Sequence, residues 1–387
     1  MDFNKNLTEL KENNLYRTFN TISAPQEKQT IINDKQVLLF SSNSYLGISN
    51  NEMVKKKVIR AVDEYGTGAG GSRLTTGNYD LHMRLERLLS GFKESDASIV
   101  FNCGYMANVG TLSSLCKESD VIFSDALNHA SIIDGCRLSK AKTVIYAHNN
   151  INDLKAKIDE IRPKSGIIIT DSVFSMDGDI ARLPDLAQIA RDNNLLLMVD
   201  DAHATGVIGK TGRGGAEHFG MAHDDIDIVM GTLSKAVASE GGFVCGSTQL
   251  CDYLKNTARS FIFSTALSPA TIAAAIGGIE HILTHPEIIR RLQDNISYFV
   301  DQLNNNWIKA ASETAIIPII IGDERKAKKA SEALFDRGIF VPCIRYPTVK
   351  KGEARLRFTL MSNHTHSDMD YAVSCLKNVL EQIESWN

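Results

Sequence analysis

Seven short apolar runs, separated by turns and amphipathic stretches, constrain the fold of this chain more than any other feature. They are Ser98-Ile-Val-Phe101, Val121-Ile-Phe123, Thr143-Val-Ile-Tyr146, Ile167-Ile-Ile-Thr170, Leu195-Leu-Leu-Met-Val199, Ile226 to Met230 and Phe243-Val-Cys245. Between most of them lie stretches with helical periodicity, at 105–116, 129–138, 151–161 and 183–192. Runs this short and apolar suit strands buried on both faces, and the intervening stretches suit crossover helices. The pattern therefore predicts an α/β fold with a mostly parallel seven-stranded sheet. Near Pro269 it changes to two long helices, 270–283 and 287–304, broken at His285-Pro286. Strand-like 316–321, helix-like 325–336, strand-like 339–344 and 354–360, and helix-like 368–385 then predict a smaller C-terminal α/β domain. The expected division is an arm with a helical start at 1–40, a large domain at 41–280 and a small domain at 281–387.

Composition limits the functional classes. At 387 residues the chain exceeds one compact core, which agrees with two domains. A net charge of −4 gives no reason to expect nucleic acid or an anionic membrane as partner. Seven scattered cysteines without a Cys-x-x-Cys pair argue for reduced thiols and against a zinc site. No apolar run approaches membrane-spanning length, and the first residues open no signal-like segment. A cytoplasmic protein without metal is expected.

The chemistry concentrates at strand ends. Lys235, in Gly231-Thr-Leu-Ser-Lys235, follows one apolar run, and Asp200-Asp-Ala-His203 ends another. A lysine amine able to form a Schiff base, with a carboxylate able to hold a pyridine nitrogen protonated, suits pyridoxal phosphate. A lone lysine is far more often a surface residue; the Asp-x-x-His partner reverses that weighting. Gly104, after a strand and before a helix opened by Tyr105, offers free amides to a phosphate. Thr232 and Ser234 offer hydroxyls, although turn chemistry explains them equally. His129 starts another helix, where it stacks on a cofactor ring, hydrogen-bonds a substrate carboxylate or merely caps, and Ser175 sits on the same rim. Ligands of open parallel sheets gather at the strands' carboxyl ends, where all of these residues fall. By contrast, Gly66-Thr-Gly-Ala-Gly-Gly71 has dinucleotide-loop spacing but follows a helical stretch, which disqualifies it.

Together with Asn43-Ser-Tyr-Leu-Gly47, Gly70-Gly-Ser-Arg73, Asn128-His-Ala-Ser131, Val173-Phe-Ser-Met-Asp-Gly178 and Phe263-Ser-Thr265, these motifs resemble the α-oxoamine synthase family. Its members are fold-type I pyridoxal phosphate enzymes that condense an amino acid with an acyl thioester and release carbon dioxide. The resemblance runs from about residue 15 to the C-terminus. It implies Lys235 as the Schiff-base lysine, Asp200 as the pyridine-nitrogen partner, and His203 and Ser175 near the cofactor's phenolic oxygen. Gly104, Tyr105 and Thr232 would hold the phosphate, Thr265 would reach the phosphate of a partner subunit in a homodimer, and His129 would stack on the ring. Asn43 and Arg357 would serve the amino-acid substrate, and Arg17 and Thr348 the acyl path. The implied substrates are L-alanine with a pimeloyl thioester, on coenzyme A or a carrier protein, with glycine and an acetyl thioester as the alternative pair. An aminotransferase of the same fold, or a catalytically silent subunit, are the competing readings. Two departures from the family pattern stand out: Ser44 replaces an aspartate, and Ala238 replaces a glycine.

Overall fold

The computed structural model describes residues 1–12, 15–222 and 224–383. Its centre is a seven-stranded sheet in the order Ala97–Phe101, Gly242–Gly246, Ile228–Thr232, Leu196–Asp200, Gly166–Asp171, Val121–Asp125, Lys142–Tyr146. The last five pair in parallel, and Gly242–Gly246 runs antiparallel to both neighbours. Period-two alternation sends side chains to opposite faces. Ile167 and Ile169 pack with Ala107, Leu112 and Ile132 on one side, and Ile168 packs with Leu154, Leu183 and Leu186 on the other. The helices Gly104–Leu115 and Ala130–Ser139 thus cover one face, and Ile151–Ile161 and Leu183–Asp192 the other.

The helix Pro269–Thr284 starts as its sequence dictates, with proline in the first turn and the Ser268 hydroxyl accepting from the Thr271 amide at 3.2 Å. Beyond it, Glu287–Asn305, Glu324–Asp336 and His366–Ile383 pack with an antiparallel sheet ordered Ile316–Gly322, Ala354–Thr359, Cys343–Ile344. The end of the expected 368–385 helix lies outside the described residues. The stretch 339–344, read as one strand, is two: Ile339–Phe340 joins the parallel edge of Lys35–Leu39, and Cys343–Ile344 joins Ala354–Thr359. Pro342 explains the break, because it has no amide to continue a ladder; its carbonyl instead accepts from the Arg357 amide at 3.1 Å. Gln29–Ile32 and Lys35–Leu39 form a hairpin, and Phe3–Glu12 is a helix none of whose residues is buried. The stretch before the glycine loop is helical, Glu52–Tyr65, so no strand feeds that loop. Among the described residues, no helix is long and apolar enough to cross a membrane.

Candidate active site

Parallel register brings the strand ends level. Asp171 and Asp200 are direct neighbours across two strands, and Asp200 is opposite Met230 on the strand leading to Lys235. Asp200 is buried, at 3% exposure, and no ion pair joins it to a cation among the described residues. Its Oδ2 accepts from Asn108 Nδ2 at 2.7 Å and its Oδ1 from the Ala202 amide at 2.9 Å. Two neutral donors fix the carboxylate's direction without neutralising its charge. Asn108 Nδ2 also donates to Ser131 Oγ at 2.8 Å, and that hydroxyl meets His129 Nδ1 at 2.7 Å. One amide therefore ties the orientation of Asp200 to that of the His129 imidazole, while its own buried Oδ1 has no partner.

Burial pulls the Lys235 amine below the ordinary lysine range; Asp200 and Asp171 oppose the shift, and Arg357 adds to it. Burial likewise lowers His129, with Asp200 opposing and Lys235 assisting. Burial, followed by the charges of Lys235, Arg357 and His129, holds His203 well below its usual value. Asp171 is pushed well above the carboxylate range by burial and by the Asp200 charge, and its Oδ2 accepts from the His129 amide at 2.8 Å. Burial thus works against charge on the Lys235 amine, on both imidazoles and on the Asp171 carboxyl.

Opposite the sheet, His203 Nδ1 meets the Tyr45 hydroxyl at 2.7 Å, and that hydroxyl donates to Asn43 Oδ1 at 3.1 Å. Arg357 closes this wall: Nε donates to the Ser175 carbonyl at 2.5 Å, and its other nitrogens reach Asn43 Oδ1 at 3.3 and 3.4 Å. Two residues earlier on the same strand face, Arg355 is held by the carboxylates of Asp177 and Glu353. Arg357, only 5% exposed, has no carboxylate partner among the described residues. A buried guanidinium without a counterion is costly, and an incoming carboxylate would relieve that cost.

The donor set fits pyridoxal phosphate. Cys103 caps the helix Gly104–Leu115 without a side-chain bond, so the first-turn amides point outward unpaired. A Cβ at Gly104 would stand 3.0 Å from Met230 Cε and 3.5 Å from Thr232 Oγ1, so the helix start passes close to the strand that carries Thr232. Thr232 Oγ1 donates to the Gly241 carbonyl at 2.9 Å and contacts Ser234 Oγ at 2.7 Å, which leaves the exposed Ser234 hydroxyl freer to turn outward. The Tyr105 ring is 43% exposed and its hydroxyl donates to Asp134. The charges of Lys235, Asp200, Arg357, His129 and His203 act on one another, and Arg357 bonds Ser175 and Asn43, so the structure brings these residues together; Gly104 lies against Thr232. Arg17, Thr265 and Thr348 lie exposed, outside this network.

Sequence reasoning missed Asn108, Asp171 and Tyr45 as participants. Asn108 was accessible as the polar residue one helical turn after Gly104, on a helix whose buried face is otherwise apolar or small. Asp171 was accessible as the register partner of Asp200 at the end of its neighbouring strand.

The aminotransferase class I and II family pattern matches residues 35–376. A Desulfovibrio desulfuricans protein named provisionally as an 8-amino-7-oxononanoate synthase is 56% identical over 374 residues, covering 97% of each chain. The 8-amino-7-oxononanoate synthase of Lysinibacillus sphaericus is 48% identical over 382 residues, again 97% of each. Among solved structures, a serine palmitoyltransferase from S. paucimobilis with a bound PLP–myriocin aldimine superimposes with a TM-score of 0.93 at 27% identity, over 99% of this chain and 97% of that one. This chain belongs to the aminotransferase class I and II family, and within it to the α-oxoamine synthases of fold type I, which use pyridoxal phosphate.

Proposed function

We propose that this protein condenses L-alanine with a pimeloyl thioester, releasing carbon dioxide and free thiol and forming 8-amino-7-oxononanoate for biotin synthesis. The carrying observation is the buried, carboxylate-free Arg357 facing the same volume as the Lys235 amine. A site for an α-amino acid needs a cation for the carboxylate within reach of a base for the α-proton. The overall shape matches a serine palmitoyltransferase, but that shape is shared across the family. Identities of 48% and 56% with named and provisionally named 8-amino-7-oxononanoate synthases, against 27% with the palmitoyltransferase, favour the pimeloyl reading.

Bound pyridoxal phosphate supplies an aldehyde for the substrate amine and an electron-poor ring that accepts the electron pair left at Cα. Arg357 binds the alanine carboxylate and holds it until it departs. Lys235, its pKa lowered mainly by burial, gives up its proton more readily than an ordinary lysine and would take the α-proton; the same amine would later return a proton. Asp200, locked by Asn108 and the Ala202 amide, would meet the ring nitrogen. His129 would cover the ring from the helix start, and His203, bonded to Tyr45, would serve its phenolic oxygen. The Gly104 and Tyr105 amides and the Thr232–Ser234 pair would receive the phosphate.

The reading extends to assembly and location: a cytoplasmic homodimer, with a large unit at 41–280, a small unit at 281–387 and an arm at 1–40. Thr265 supports the dimer. It is exposed, and its strand bridge to Ser72 places it beside the glycine loop rather than in its own site. The deciding measurement is free-thiol release by the holoenzyme. L-Alanine with pimeloyl thioester should far outperform glycine with acetyl thioester; the reverse order would make the chain an acetyl-transferring relative.

A further inference from the structure

The turn that carries Ser175 is gripped twice by one strand. Arg355 and Arg357 stand two residues apart on Ala354–Thr359 and project from the same face, about 7 Å apart along the chain. Arg357 Nε donates to the Ser175 carbonyl at 2.5 Å. A terminal nitrogen of Arg355 reaches the next carbonyl, that of Met176, at 3.4 Å, and also the Asp177 carboxylate. Adjacent carbonyls of an extended chain point opposite ways, so a straight segment could not offer both to one strand. Here the Gly178 amide donates to the Phe174 carbonyl at 2.8 Å and closes a single helical turn, in which successive carbonyls point along one direction. Gly178, at φ +72°, lets that turn lie against the neighbouring strand: a Cβ there would stand 2.2 Å from the Ile316 carbonyl oxygen. Thr314 Oγ1 and His148 hold Gly178 and Asp179, the far end of the turn. At Ser175, Met176 and Asp177 the bonds to the strand come from the two arginines.

Both guanidiniums are buried, but only one is balanced in charge. Arg355, 3% exposed, pairs with Asp177 and with Glu353, whose carbonyl also accepts from Arg355 Nε at 3.1 Å. Its charge is answered within the protein, so it does not compete with Arg357 for an incoming carboxylate. We propose that Arg355 is a positioning residue for substrate binding: clasped to Met176 and Asp177, it holds the Ser175 carbonyl where that carbonyl aims Arg357 at the carboxylate of the amino acid. The proposal rests on the reading of Arg357 given above and adds the residue on which its aim depends. The contacts of Arg357 with Asn43, at 3.3 and 3.4 Å, are long, so the short bond to Ser175 is the main constraint on its guanidinium. A guanidinium donates in one rigid plane, so a shift of that carbonyl turns the whole fork. A fork turned away loses the paired hydrogen bonds that a carboxylate accepts.

The test titrates the holoenzyme with L-alanine and with L-alaninol, which has the amine but no carboxylate, and reads binding from the change in cofactor absorbance. Arg355→Met should weaken L-alanine binding about tenfold and leave L-alaninol binding unchanged, because only alanine uses Arg357. KM for the pimeloyl thioester at saturating alanine should not follow. Arg355→Lys, which keeps a cation for Asp177, should recover part of the loss. Asp177→Ala cuts the same link from its partly exposed end and gives the answer if Arg355→Met does not fold. The double variant should bind alanine no worse than the weaker single one, because both substitutions cut one link. Equal weakening for the two ligands would mean a site merely loosened, and overturns the proposal. Full alanine affinity in both Arg355→Met and Asp177→Ala overturns it as well. If Arg357→Ala leaves alanine affinity unchanged, the substrate reading fails on its own. A crystal structure of Arg355→Met then decides the clasp, upheld by an Arg357 displaced from Ser175 and overturned by one still bonded to it.

Discussion

The rim of the large sheet and the hairpin side of the small one are built in opposite ways. On the sheet rim, Asp200, Asn108 and Ser131 are buried and bonded in a chain that ends on the exposed His129, so each orientation is fixed by its neighbour. On the hairpin side, Arg17 and Thr348 are exposed and Arg345 is half-buried. A shared electron-withdrawing chemistry needs fixed charges at fixed places. Choice among acyl groups is set by longer contacts that change more easily. Substitutions on the rim should therefore lower the rate itself, and those on the hairpin side should act on substrate affinity.

The largest effect belongs to Lys235→Ala. Both cofactor attachment and α-proton transfer use this amine, so turnover should vanish while the fold persists. Borohydride should fix the cofactor to Lys235 in the unmodified protein; attachment at another lysine would break the rim assignment. Next, Asp200→Asn should retain cofactor but lose about a thousandfold in rate, because the fixed charge is gone while the Asn108 contact remains possible. A near-normal rate in a pre-steady-state assay would show that this carboxylate does not serve the ring.

On the other side of the comparison, Arg17→Ala should weaken the pimeloyl reaction by about ten- to a hundredfold, appearing in KM rather than kcat. The reason is the distal carboxylate of a pimeloyl chain, which a cation along the acyl path would meet. Unchanged KM, with Arg17 still exposed in the complex, would leave that carboxylate to another group.

The two regions also differed in how far the sequence disclosed them. All seven central strands were legible, because burial on both faces leaves continuous apolar runs such as Ile167-Ile-Ile. The placement of Lys235, Asp200, His203 and His129 at strand ends was legible because these residues follow those runs closely. Asn108 and Asp171 were not singled out, since their importance comes from register and from a helix turn, contacts between segments distant in sequence. The hairpin side was misread at 339–344, where local β propensity hid a proline-divided pair of strands serving two sheets.

A smaller effect concerns the support of the Ser172–Ile180 loop, which joins the two regions through Ser175 and Arg357. His148 bridges Asp125 at 2.9 Å and Asp179 at 3.0 Å. Burial opposes its charge, but the hydrogen bonds and charges of both carboxylates prevail and raise its pKa to about 10. A raised pKa means the folded state holds the proton more tightly. The stabilisation is therefore complete below the unfolded value near 6.5 and is lost as pH climbs through about 10. His148→Gln should lower the melting temperature more at pH 6 than at pH 10. An equal loss at both would mean that the bridge contributes by shape and not by charge.

The smallest effect tests the one departure from the family pattern that geometry explains. Ala238 has φ +60°, in the left-handed region where a Cβ is strained, three residues after Lys235 with its amide bonded to the Lys235 carbonyl at 3.0 Å. A glycine would remove the strain but would also gain freedom in the unfolded chain, and the two effects partly cancel. Ala238→Gly should thus raise stability by only about 0.5 kcal/mol, roughly 1 °C in melting temperature. The kinetic consequence is the sharper reading. Because the sheet rim already fixes the amine's surroundings, the glycine variant should be more stable yet no faster. A rise in kcat would show that the turn, and not the buried network, sets the position of the base.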